Sequence, residues 1–424
     1  MTRRPRIAIT LGDPCGIGPE LLLSSLAAIN RWAEVLVIGA RAGIDLLDGS
    51  PAKVHWAWVD PAPVAGLNIG ARTLHGLATQ PLDPRQEGEG GYATWLDPTP
   101  EISPAQLHLG IGSAASGRCA VEAVRLGAEL VQAGQADALV TLPLAKSAAH
   151  LAGYGIPGHT EFLADLAGTP ITRMAFVSPT LSVVLHTVHQ SLRSVVEDLS
   201  VDAVAETLAF AADRFIQLTG NLNLKVGLAA MNPHGGENGA FGLEEAILDE
   251  ALVQAEAQFL AFDGDAPSPF AHVPSPFPPG AAPSGWGLYP ARNEGLALMG
   301  CRRDIEIVDQ GRPRPALRPA PQFFGPLPAD TLFLRAARGE FDLVVALFHD
   351  QGLIPLKVLE PDRAVNLTLG LPYIRTSPDH GTAFDRAGKW NSSAVNFMEA
   401  TALAVRLAGR AKQEPWDAQA SGPK

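Results

Sequence analysis

Cysteine is scarce: 424 residues carry three, Cys15, Cys119 and Cys301, and none stands in CxxC spacing. That scarcity excludes a disulfide framework and a thiolate zinc site, and it fits a reducing compartment. Long apolar runs are also missing, since no stretch approaches the roughly 18 consecutive residues of a membrane span. The apolar run after Thr2-Arg3-Arg4 is cut by Asp13 and Pro14 before any cleavage pattern, so it reads as a first β-strand and not as an export signal. Basic charge is in deficit, with 32 Lys and Arg against 44 Asp and Glu and a net charge of −12. General binding to a phosphate backbone needs the opposite balance, so nucleic acid is not an expected partner. The expectation is a cytoplasmic protein without membrane contact.

What is present is an α/β rhythm. Short apolar strands read at Ile7–Thr10, Val35–Ile38, Ala138–Thr141, Leu181–Leu185, Val226–Ala230 and Leu343–Leu347. They alternate with helical stretches from Pro19, over Ala114–Ala133, over Val201–Leu218 and over Leu243–Phe259. Strands without polar alternation imply a sheet covered on both faces. At about 150 residues per domain, the length corresponds to two or three folding units. The rhythm breaks over 81–104, which reads as an irregular polar insertion, and over 262–322. The second stretch holds eight prolines between Asp263 and Pro290, which forbid helix and central strand there. A short helix fits around Asn293–Met299 within it, and 413–424 reads as a frayed tail.

Between the first strand and first helix runs Leu11-Gly12-Asp13-Pro14-Cys15-Gly16-Ile17-Gly18-Pro19-Glu20. It lacks the third glycine of a dinucleotide fingerprint, so by itself it reads as a structural turn. Histidines cluster beside strand ends: His159, His186, His189, His234 and His349. In open α/β sheets such positions face a ligand crevice, and three imidazoles with an open position are a catalytic metal pattern. Each histidine taken singly also fits a loop hydrogen bond, and spacing alone does not separate the two readings. Farther on, Lys357, Asn366 and Arg375 interrupt apolar text. An ammonium, an amide and a guanidinium beside such a site suit an anionic substrate.

Ordered along the chain, the motifs Gly12-Asp13-Pro14, Gly158-His159-Thr160-Glu161-Phe162, Asn232-Pro233-His234, Gly325-Pro326-Leu327-Pro328, His349-Asp350-Gln351-Gly352 and Asn366 to Ala383 resemble the 4-hydroxythreonine-4-phosphate dehydrogenase (PdxA) family. The resemblance implies an isocitrate/isopropylmalate dehydrogenase-like, two-lobed α/β/α fold, with 1–424 forming one catalytic unit of two interleaved lobes. It implies metal ligands at His189, His234 and His349. It further implies substrate contacts at His159, Thr160, Lys357, Asn366 and Arg375, with Lys357 a candidate for proton transfer if burial lowers its pKa. The segment Asp379-His380-Gly381-Thr382-Ala383-Phe384-Asp385-Arg386-Ala387-Gly388-Lys389 is similar to the adenosine-holding loop of decarboxylating dehydrogenases, which places NAD or NADP there, at His380, Gly381, Thr382, Ala383 and Asp385. The implied metal is zinc, with cobalt or magnesium as alternatives, and the implied assembly is a homodimer with the site at the subunit boundary.

The implied reaction is oxidation of an anionic hydroxy acid, 4-phosphohydroxy-L-threonine first. A cis-dihydrodiol carboxylate or another four-carbon phosphorylated hydroxy acid is the alternative. Phosphate acetyltransferases share the broad fold but lack the three histidines, and the proline-rich stretch alternatively suits docking to an aromatic groove. One departure stands out: Thr141-Leu142-Pro143-Leu144-Ala145-Lys146 carries alanine where the family has a polar side chain before the lysine.

Overall fold

The computed structural model describes residues 4–47, 54–58, 91–260, 270, 273 and 320–409. Twelve strands form one sheet in the order β3-β4-β2-β1-β5-β12-β11-β6-β7-β10-β8-β9. In chain order they are β1 Arg6–Thr10, β2 Glu34–Ile38, β3 Val54–Trp58, β4 Gly91–Leu96, β5 Ala138–Thr141, β6 Arg173–Val177, β7 Ser182–Leu185, β8 Lys225–Ala229, β9 Gln322–Leu327, β10 Leu343–Ala346, β11 Val365–Leu369 and β12 Ile374–Pro378. The helices are α1 Gly18–Ile29, α2 Ala42–Asp45, α3 Ala114–Gln132, α4 Lys146–Leu151, α5 His159–Ala167, α6 Leu192–Glu197, α7 Val201–Thr219, α8 Glu244–Leu260, α9 Ala329–Ala337, α10 His349–Leu359 and α11 Val395–Leu407.

Local chemistry sets several boundaries. Pro19 occupies the first turn of α1, where its missing N–H costs nothing. Ser113 caps α3 by accepting from the Ser116 amide, and Gly220 closes α7 in the left-handed conformation. The stretch 81–104 is a correction to the sequence reading. Gly91–Leu96 within it is β4, parallel to both β2 and β3, and its apolar half packs inward at Ala93, Trp95 and Leu96. A strand opening on glycine after a polar run gives little periodic signal, which is why it reads as loop. Most of 262–322, including 293–299, and all of 413–424 lie outside the described residues.

Two parallel wings make up the sheet. The β3-β4-β2-β1-β5-β12 wing is parallel throughout, as is β7-β10-β8-β9. Between them the β12–β11, β11–β6 and β6–β7 pairings are all antiparallel. Three reversals leave the wings running in opposite directions. The chain weaves between them, because β12 returns from the carboxy-terminal third to pair with β5.

Alternation across the strands sorts the side chains into layers. Ile7, Ile9, Val140, Val365, Leu367 and Ile374 join one continuous core with residues of α1, α7, α8 and α11. The intervening residues face the other side, where the core is split. Ala8 and Leu139 pack with α3, whereas Phe176, Val183 and Val344 pack with α9 and α10. Where the two half-cores separate, the central strands present Thr141, Asn366, Thr368 and Arg375 instead of apolar side chains.

Candidate active site

Arg375 is the centre of that polar strip and is only 2% exposed. Its guanidinium donates to Thr141 Oγ1 from Nε (3.2 Å) and Nη2 (2.6 Å), and from Nη1 to Thr368 Oγ1 (3.0 Å) and Asn366 Oδ1 (3.5 Å). Hydroxyls and an amide orient the group without neutralising it. Among the described residues no carboxylate lies within ion-pair distance of it, and burial pulls its pKa down to about 10 against weaker opposing effects of Tyr373 and Glu161. A buried, uncompensated guanidinium has an unmet demand for an anion.

His159 stands beside it as the first residue of α5, behind Gly158, with Thr160 buried next in the helix. Its Nε2 is shut off from solvent and has no hydrogen-bond partner. Burial first, then the charges of Arg375 and Lys146, push its pKa down to about 3, so the imidazole is neutral across the physiological range.

His189 and His349 lie with ring centroids 5.8 Å apart. Burial lowers the pKa of His189, helped by Lys146 and His349 and opposed by Glu161. His349 Nδ1 lies 2.8 Å from Asp350 Oδ1, an arrangement that orients an imidazole and leaves Nε2 available. His234 differs. It is exposed, and it opens a run of left-handed backbone with φ of 53, 65, 73, 41 and 56° from His234 to Asn238. Three non-glycine residues in that region store strain. Asn232, just before, ties the run to the start of α8 through Glu244 and Glu245. Among the described residues no three His, Cys, Asp or Glu side chains converge on a common point, so the expected trio is not assembled in one chain. The neutral His189 and the carboxylate-oriented His349 fit a metal as donors, and they make a pair that lacks its third member. His186, which sequence spacing left unresolved, is set apart: it is bonded through Nδ1 to Thr207 Oγ1 at 2.9 Å and held neutral by burial, its pKa lowered to about 4.

Lys357, near the end of α10, is 51% exposed at its side chain, and its Nζ lies 3.1 Å from Asp379 Oδ2. The burial on which proton transfer by Lys357 depended is therefore absent. Asp379 follows β12 whereas α10 follows β10, so this ion pair crosses from one wing to the other. Next comes the loop from His380. Gly381 faces open space, Ala383 has φ of 42°, and His380 Nε2 is buried with no partner. The loop is held from below by the first turn. The Ile17 amide donates to the Thr382 carbonyl at 3.0 Å, and Glu20 Oε2 accepts from the amides of Gly388 (2.9 Å) and Trp390 (3.4 Å). Asp385 contributes its carbonyl to Lys389 Nζ at 2.6 Å. An open glycine and an orphaned imidazole nitrogen on an anchored loop fit a cradle for a polar ligand.

The turn itself is held by Asp13, which is fully buried. It accepts from the Cys15 amide (2.9 Å) and the Ser116 hydroxyl (3.1 Å), and burial raises its pKa to about 6. Asp13, Glu20, Lys146 and Asp379 were not among the sequence candidates. Asp379 lies within a quoted motif without a role assigned to it there, whereas the roles of Asp13 and Glu20 depend on partners far along the chain, which spacing does not reveal.

With this geometry in place, comparison with known proteins decides the family. The profile of the pyridoxal phosphate biosynthetic protein PdxA matches residues 71–275 and 312–404. The chain belongs to the PdxA family. A 4-hydroxythreonine-4-phosphate dehydrogenase of Geobacter metallireducens is 33% identical over 407 residues, covering 96% of each chain. The D-threonate 4-phosphate dehydrogenase of Salmonella typhimurium is also 33% identical, over 95% of this chain and 97% of its own. The crystal structure of a 4-hydroxythreonine-4-phosphate dehydrogenase from Klebsiella pneumoniae superposes with a TM-score of 0.67 at 29% identity, covering 95% of this chain and 99% of that one. The PdxA relatives thus match along nearly the whole chain.

Proposed function

We propose that this PdxA-family chain is a nicotinamide-dependent dehydrogenase that oxidises the secondary hydroxyl of 4-phosphohydroxy-L-threonine. The product is 2-amino-3-oxo-4-phosphobutanoate, which then loses carbon dioxide. The observation that carries the reading is Arg375, a buried guanidinium without a carboxylate partner among the described residues, set beside the neutral His159. It supplies the anion subsite that a phosphorylated substrate requires. Asn366 borders that subsite, Thr160 follows His159 in α5, and Lys357 is half-exposed and held by Asp379.

His189, His234 and His349 would hold the metal, which supplies Lewis-acid polarisation of the substrate hydroxyl when bound. His189 and His349 contribute from one chain, and His234 completes the set in a homodimer. Apolar side chains left exposed near these histidines support such an assembly: Leu192 (63%) and Val196 (42%) on α6, Ile354 (61%) and Val358 (77%) on α10. The loop from His380 through Gly381, Thr382 and Ala383 to Asp385 would hold NAD or NADP, which would supply a hydride acceptor for the oxidation. His159 stays neutral at the working pH, so it donates or accepts a hydrogen bond without adding charge to the pocket.

D-threonate 4-phosphate is the second substrate reading, because the relative of that name matches at the same identity as the 4-hydroxythreonine-4-phosphate dehydrogenase. The test is reduction of NAD and of NADP, followed at the nicotinamide absorbance with zinc-loaded protein and each substrate in turn, with His234→Ala alongside. Turnover with 4-phosphohydroxy-L-threonine that His234→Ala abolishes is the expected result. Turnover with D-threonate 4-phosphate alone moves the assignment to the second substrate. Activity of the variant equal to wild type overturns the metal assignment.

A further inference from the structure

Beside Gly158, the residue that precedes His159, stands a further cation. Lys146 is the first residue of α4, is exposed, and forms no ion pair among the described residues. Its stem and ammonium run alongside Gly158, the residue before His159. A first side-chain carbon at Gly158 would sit 3.7 Å from Lys146 Nζ and 2.7 Å from Glu161 Oε2. The charge of Lys146 is felt at both His159 and His189, whereas that of Arg375 is felt at His159. Lys146 thus stands beside the start of α5 within electrostatic reach of both His159 and the candidate metal ligand His189, and Arg375 within reach of His159. Glu161 tempers both regions, acting on Arg375 and on His189.

We propose that Lys146 is a second substrate anchor, holding the carboxylate of a hydroxy acid whose phosphate is held by Arg375, so that the site selects substrates charged at both ends. The inference rests on the dehydrogenase reading above. A carboxylate lost as carbon dioxide after oxidation must lie next to the reacting carbon, and hence on the side of His189 and His349. The two cations suit the two ends differently. Arg375 is fixed by hydroxyls from β5 and β11 and matches a phosphate that stays in place, whereas Lys146 is a point charge on a flexible stem that can follow a carboxylate until it departs.

The experiment compares wild type, Lys146→Met and Lys146→Arg in the zinc-loaded full chain. It measures kcat and KM for 4-phosphohydroxy-L-threonine, and inhibition by inorganic phosphate as a probe of the Arg375 end. The expected result is a KM raised about ten- to hundredfold in Lys146→Met, the loss of one charge-assisted contact. Phosphate inhibition should stay within about twofold of wild type, and Lys146→Arg should recover most of the KM. A KM unchanged in an active Lys146→Met overturns this inference alone, as does a parallel loss of phosphate inhibition, which would place Lys146 at the phosphate end. A wild type with no turnover overturns the dehydrogenase reading and this inference with it. Lys146 is exposed at a helix start, so circular dichroism of Lys146→Met should match wild type.

Discussion

The Arg375 pocket and the histidine set are built in contrasting ways. Arg375 is buried on a central strand, and its guanidinium donates to three side chains from β5 and β11. His234 is exposed on left-handed backbone, and no third ligand joins His189 and His349 among the described residues. An anion subsite can be pre-organised by one sheet, because hydroxyls on adjacent strands orient a guanidinium before any ligand arrives. The histidine set gains its geometry only when something else is added.

Arg375→Met breaks that comparison most sharply. Its kcat/KM should fall by about two to three orders of magnitude, the scale for truncating a buried charge that meets a ligand charge. Zinc content per chain, measured by emission spectrometry, should stay at the wild-type level, and a parallel loss of metal would mean that the two regions are not independent. Lys357→Met is expected to raise KM by about tenfold with kcat nearly retained, as suits an exposed anion contact. A collapse of kcat instead would restore Lys357 as a proton-transfer residue.

Asp13→Asn tests the support beneath the His380 loop through pH. The folded-state pKa of Asp13 is raised from 3.8 to about 6, so the folded protein binds that proton more tightly than the unfolded chain. Its contribution is complete below about pH 4 and is lost as pH rises through about 6, at about 1.4 kcal/mol per pH unit. Denaturant titrations at several pH values should show that downward component in wild type and not in Asp13→Asn. The smallest effect is expected at Ala145, which occupies the cap position of α4 and offers no side-chain acceptor. Ala145→Asn should raise stability by about 0.5–1 kcal/mol, read as a shift in the urea midpoint, and should steady the helix end that carries Lys146.

Most strands and long helices were legible in the sequence because their periodicity is local. Val35–Ile38 and Leu343–Leu347 are apolar runs, and each coincides with its strand to within a residue. Arg375 was legible for the converse reason, as a charge in apolar text. The β4 strand was not, since Gly91, Tyr92 and Thr94 dilute its pattern. Spacing alone did not sort His186 from His189, which only the family motif separated: one meets Thr207 and the other His349, and both partners lie elsewhere in the chain. The turn at Asp13 reads as structural and is so. Its specific task, carrying the loop from Thr382 to Trp390, depends on contacts between the two ends of the chain.

The weaving of β12 between β5 and β11 also dictates an order of events during synthesis. A nascent chain that has not yet delivered Ile374–Pro378 leaves β5 with an open edge, although β1 and β2 beside it are already complete. At roughly 5–20 residues per second, that edge waits for about ten seconds to just under a minute after Thr141 is made. Over that interval the amino-terminal wing displays unpaired backbone and a gap where Arg375 will sit, so that wing cannot mature alone and the anion pocket is among the last features to form.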